Sequence, residues 1–199
     1  MSEEKESHMS KSSQFVLQIS GAALFSALSL VLSIFVVPYL PRTPEGFAYF
    51  DPVSIVWVTC FLIFGPLAGV LCCGIGSLML MPFDPFPIGP FMKFSATFSL
   101  IIIPILLLRL TKRKENIRKS QKFKKVKNYV IYGLFGTVFR IVVMVILNIM
   151  VYLSMFGASG LEIWIVVVIL LNALTSLWDL LIPYLIVFGT KLDAIFEIW

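Results

Sequence analysis

The chain has little charge and a single histidine. Of its 199 residues, 14% are Asp, Glu, Lys or Arg, and His8 lies in the polar start of the chain. An enzyme acting on lipid would therefore lack an obvious general base at membrane depth. GxxxxGK[ST], HExxH and GxSxG are all missing, which argues against a phosphate loop, a zinc-protease helix and a nucleophile elbow. The three cysteines, Cys60, Cys72 and Cys73, lie in apolar runs without His or acidic neighbours at ligand spacing. They read as small packing residues, so neither a metal site nor a disulfide framework is expected, and no cofactor. The opening MSEEKESHMSKSSQ has no cationic n-region and no small-residue cleavage site, so the first apolar span is expected to stay in the protein.

Apolar residues are what the chain has in abundance. They make up 59% of it, with a mean hydropathy of +0.96, more than a soluble domain of this size can hide from water. The expected fold is an all-α membrane protein, because helices satisfy their own backbone hydrogen bonds in hydrocarbon. Six spans are read: 14–37, 52–64, 66–81, 89–109, 129–156 and 162–190. Asp51 is the expected N-cap of the second span with Pro52 at its first position, and Gly65-Pro66 is a tight break. Residues 1–13 form a polar tail, 14–190 one transmembrane domain, and 191–199 a second tail.

Ten lysines and arginines fall between Arg109 and Lys127, with Glu115 as the only acid among them. Flanked by apolar spans, this run reads as a cytoplasmic loop at 109–128 rather than a nucleic-acid patch. Both termini are then cytoplasmic, and Asp51 lies at the outer mouth.

Polar groups inside spans are costly and tend to pair or to line a site. Counted at about 1.5 Å per residue, Arg140 and Asp179 fall at one depth, so an intramembrane ion pair is expected between the fifth and sixth spans. The same count puts Asn148 and Asn172 at one level nearer the outer face. Lys93 and Asp51 lie in that leaflet too, below a loop carrying Phe47, Tyr49 and Phe50. A mostly apolar pocket with a few directed polar groups suits a small, flat, polar molecule. The simpler alternative is that the amides tie helices together and Lys93 reaches the headgroups. In the first span Ala23 and Ala27 are spaced AxxxA beside a row of Ala22, Ser26, Ser29 and Ser33. That surface would let a partner helix approach closely, or serve packing within the bundle.

These residues resemble the substrate-binding S components of energy-coupling factor (ECF) vitamin transporters. ALFSA at 23–27 is similar to their first-helix AxxxA, and Asp51 through GPLAG at 65–69 to helices two and three of the riboflavin-binding branch. PIGPFMKF at 87–94, LNIMVY at 147–152 and LLNALTSLWDLLIPY at 170–184 resemble its later helices. The resemblance covers about 15–190. It implies a six-helix bundle in the plasma membrane that binds a vitamin from outside and hydrolyses no ATP. Ala23 and Ala27 would dock on a membrane coupling protein carrying two ABC ATPases, with loop 38–51 as the gate. One departure is in the last helix: the riboflavin branch tends to follow its Asn with Lys, whereas Asn172 is followed by Ala173, Leu174 and Thr175. Riboflavin is the first choice of substrate, and another water-soluble vitamin or precursor the second. The remaining alternatives are a stand-alone proton-coupled or facilitative carrier, with Arg140 and Asp179 as a relay, and a structural scaffold.

Overall fold

A 13-residue helix with no polar face, PVSIVWVTCFLIF, stands at the centre of the bundle, and every one of its residues is buried. A helix that is apolar all round has no side to offer water. Asp51 starts it: its Oδ1 accepts from Val53 N at 3.1 Å, and Pro52 fits the first turn, where no N–H is needed. Gly65 ends it at φ +97°, a left-handed backbone that a side chain would strain, and the next helix begins at Pro66 without a linker.

A computed structural model describes residues 10–43, 48–84, 88–110, 121–196 and 199. Among them are eight α-helices: α1 (Lys11–Phe35), α2 (Pro52–Phe64), α3 (Pro66–Leu80), α4 (Ile88–Leu110), α5 (Gln121–Lys124), α6 (Val126–Phe156), α7 (Leu161–Tyr184) and α8 (Leu192–Phe196). The helical fold expected from the hydropathy is therefore present, and the only β pairing among the described residues is one isolated bridge, Arg42 to Ala48. Five helices are long and apolar enough to cross a membrane, and α2 is the shorter apolar one. Helices α1, α3, α4, α6 and α7 pack in that order as a row, and α2 lies against α1, α3, α4 and α7. Large apolar side chains such as Leu24, Leu134, Ile163 and Leu170 face outward.

Two proline positions shape the packing around the centre. Pro104 lies inside α4 and has no N–H to return to the Leu100 carbonyl. Gly136 of α6 takes up that spot: a methyl group there would sit 2.4 Å from Leu100 O, so the absent side chain lets the two backbones touch. Pro183 lies inside α7, where the Tyr129 hydroxyl donates to the adjacent Leu180 carbonyl at 2.8 Å. The chain then continues as a π-helix over Leu185–Gly189.

At the Gly65 end, α5, α8 and Trp199 close the bundle. Trp199 Nε1 donates to Leu62 O at 3.1 Å, and its ring lies within 6.0 Å of those of Phe61 and Phe123. Lys124 and Asp193 form an ion pair at 3.2 Å. Of the basic run, residues 111–120 lie outside the described part.

Candidate functional site

Polar side chains gather on α2, α4, α6 and α7, in two groups. The first surrounds Arg140, which is 4% exposed, while its partner Asp179 is fully buried. Nη1 of Arg140 lies 2.5 Å from Asp179 Oδ2, Nη2 donates to Thr175 Oγ1 at 3.0 Å, and Nε donates to Asn172 Oδ1 at 3.2 Å. Positions 172, 175 and 179 are three and four residues apart and so line one face of α7. A planar guanidinium with its donors in a fixed fork can serve all three at once, which an ammonium cannot. A buried charge without a partner is strongly destabilising, so the sequence must supply both Arg140 and Asp179 or neither.

The second group is at the start of α2. Lys93 of α4 reaches Asp51 Oδ1 at 3.2 Å, Ser54 Oγ donates to Asp51 Oδ2 at 3.2 Å, and Thr97 Oγ1 donates to Ser54 Oγ at 2.9 Å. The carboxylate thus caps α2, neutralises Lys93 and joins α2 to α4. Phe50, just before it, packs edge-on to Trp178 with ring centroids 6.5 Å apart. Trp178 is about 25 Å along α7 from Leu161 at the usual helical rise. Asp51 is thus held between Lys93, near the start of α4, and the Phe50–Trp178 contact with α7, at the end of α2 opposite the Gly65 hairpin.

The expected residues fare unequally. Arg140 meets Asp179, and Asp51 meets Lys93. Asn148 Nδ2 turns back to Met144 O at 2.8 Å, while Asn172 is held by Arg140. Tyr49 is 39% exposed; Phe47 lies outside the described residues. On α1 the two small-residue rows part company. Ala22, Ser26 and Ser29 face inward, with Ser26 Oγ donating to Cys72 O at 3.2 Å, while Ala23 and Ala27 are exposed on the outside.

Ser54, Thr97 and Thr175 were not anticipated, although their spacing from Asp51, Lys93 and Asn172 or Asp179 is the i,i+3 and i,i+4 pattern that places groups on one helix face. Among the described residues no cluster of His, Cys, Asp and Glu could hold a metal ion. The arrangement offers fixed hydrogen-bond donors and acceptors with two balanced ion pairs, which suits binding rather than bond-breaking chemistry.

The family model for the ECF-type riboflavin transporter, S component, matches residues 13–189. No curated protein and no solved structure matches the chain.

Proposed function

The chain belongs to the ECF-type riboflavin transporter S component family, whose members are multi-pass plasma-membrane proteins serving vitamin uptake, and from that premise we propose that its polar core holds riboflavin. The observation that carries this reading is the buried layer of charged and amide groups shared by α2, α4, α6 and α7, where the rest of the described core holds apolar residues and small hydroxyls. Its two ion pairs balance, so a neutral molecule enters without leaving a charge uncompensated. Riboflavin is neutral, with a flat ring bearing carbonyls and a hydroxylated chain, and it needs both the apolar walls and the directed polar groups. Asp51, Lys93, Asn148 and Asn172 are the proposed polar contacts, with Tyr49 and Phe47 on the gate formed by loop 38–51.

The proposed topology has six crossings with both termini cytoplasmic, and the basic stretch at 109–128 supports it through the positive-inside rule. Helix α2 is about 10 Å shorter than the hydrocarbon core, so the crossing it belongs to is completed by the loop before it. That shortfall lies above Asp51, where a substrate arriving from outside would lodge. Ala23 and Ala27, exposed and small, would dock on a membrane coupling protein carrying two ABC ATPases. The chain itself would hydrolyse no ATP.

Reconstitution in vesicles tests this. Riboflavin uptake is expected only when the chain is combined with its coupling protein, the ATPase pair and ATP. Uptake by the chain alone, without ATP, would contradict the proposal and indicate a stand-alone carrier.

A further inference from the structure

Asn172 is the proposed amide contact held by a charged neighbour. An arginine side chain only donates hydrogen bonds, so the amide atom 3.2 Å from Arg140 Nε must be the oxygen. The choice between oxygen and nitrogen, which heavy-atom positions alone rarely settle, is made here by chemistry. The nitrogen gives one hydrogen to Val168 O at 2.9 Å; its second hydrogen has no partner among the described residues. The guanidinium charge beside Oδ1 also draws electron density from the amide, which strengthens that remaining N–H as a donor.

We propose that Arg140 is a positioning residue for substrate selection: it holds Asn172 so that a donor N–H faces the ligand, and the site therefore selects molecules presenting a hydrogen-bond acceptor, a ring carbonyl or ring nitrogen, at that point. This deepens the riboflavin reading and rests on it. Arg140 is itself fixed by Thr175 at 3.0 Å and Asp179 at 2.5 Å, so the rotamer that reaches Asn172 is locked from two further points on the same face of α7. Asp179 and Thr175 act on the ligand through Arg140, and Arg140 acts through Asn172. Asn148 differs. Its Nδ2 bonds only to its own helix at Met144 O, so no cation biases its amide.

The test is riboflavin titration of the purified full chain, read by quenching of flavin fluorescence, beside a thermal melt of each variant. Asn172→Asp keeps an oxygen for Arg140, replaces the nitrogen that would face the ligand and adds a carboxylate beside the Arg140–Asp179 pair. Affinity should fall by about tenfold, the scale of one lost hydrogen bond in a buried site. Arg140→Lys keeps the buried charge and loses the fork. It should weaken binding in the wild-type background and add less than about twofold to Asn172→Asp, since groups acting in series are not additive. Asn172→Asp binding within about twofold of wild type, or losses that multiply in the double variant, would overturn the proposal. Should Asp at 172 melt the bundle, Thr175→Val takes its place: binding weakens and Thr175→Ser restores it, whereas unchanged binding in Thr175→Val overturns the role of Arg140. A wild-type chain that leaves flavin fluorescence untouched would instead contradict the riboflavin assignment itself, so the two failures are distinct.

Discussion

The two ends of α2 are held in the bundle by different physics. Around the start of α2, helices are joined by directed polar bonds: Asp51 to Lys93 and Ser54, Arg140 to Asn172, Thr175 and Asp179. Around Gly65 they are joined by rings and glycines: Phe61, Phe123 and Trp199 at centroid distances of 5.6 to 6.0 Å, Tyr129 against Tyr184 at 4.7 Å, and Gly69 against Phe61. In lipid there is little hydrophobic drive between helices, so association depends on close fit and on hydrogen bonds. The Gly65 end uses fit, and its contacts are forgiving in chemistry but not in volume. The α2 start is tolerant of little in chemistry, because each buried polar group needs its partner. The proposed site would lie where direction matters, with the fitted end as its fixed floor.

Substitutions can break this contrast in order of size. The largest effect is expected from Arg140→Met, which leaves Asp179 buried and unpaired: a loss of about 3–5 kcal/mol in stability, read as a collapse of the thermal melt in detergent. Restoring much of the melt with Arg140→Met plus Asp179→Leu would show that the charge, not the volume, was at fault. Gly136→Val tests the fitted packing. Its Cβ would meet the Leu100 carbonyl at 2.4 Å, a backbone atom that cannot swing aside, and overpacking of this kind costs about 1–3 kcal/mol. A melt equal to wild type would show that α4 and α6 are free to separate.

Asn148→Leu should spare stability and lower riboflavin affinity by about 1 kcal/mol, one hydrogen bond's worth; unchanged affinity in a titration would move the pocket away from Asn148. The smallest effect is expected for Lys124→Ala. Its pair with Asp193 has a half-exposed lysine side chain, so at most about 1 kcal/mol is at stake, and raised salt should erase the difference. Ala23→Phe and Ala27→Phe sharpen the contrast from outside the bundle. Riboflavin binding should persist while ATP-dependent uptake by the assembled transporter is lost, and undiminished uptake would free α1 from a docking role.

The sequence made some of this legible and concealed the rest for physical reasons. Span boundaries came within a few residues because apolar runs and Gly-Pro breaks are local signals; α4, for example, runs Ile88–Leu110 against an expected 89–109. The Arg140–Asp179 pair could be inferred because each lies in the middle of its span, where an isolated charge is untenable. The Asp51-Pro52 start of α2 and its stop at Gly65-Pro66 were readable as local signals, whereas its place at the centre of the bundle depends on packing with four other helices. Depth counting could not show that Arg140 reaches Asn172 as well as Asp179, because it assigns each side chain to the level of its own Cα and an arginine reaches further. Ser54, Thr97 and Thr175 escaped notice because hydroxyls are cheap in helices and only their partners reveal them.

The central claim is that the buried polar layer is a vitamin site, and equilibrium titration of riboflavin with the purified full chain tests it most directly. The account predicts saturable quenching of flavin fluorescence with one vitamin per chain, weakened in Asn148→Leu and Asn172→Asp. Flavin fluorescence that stays constant at excess protein, or quenching that those variants leave unchanged, would contradict it.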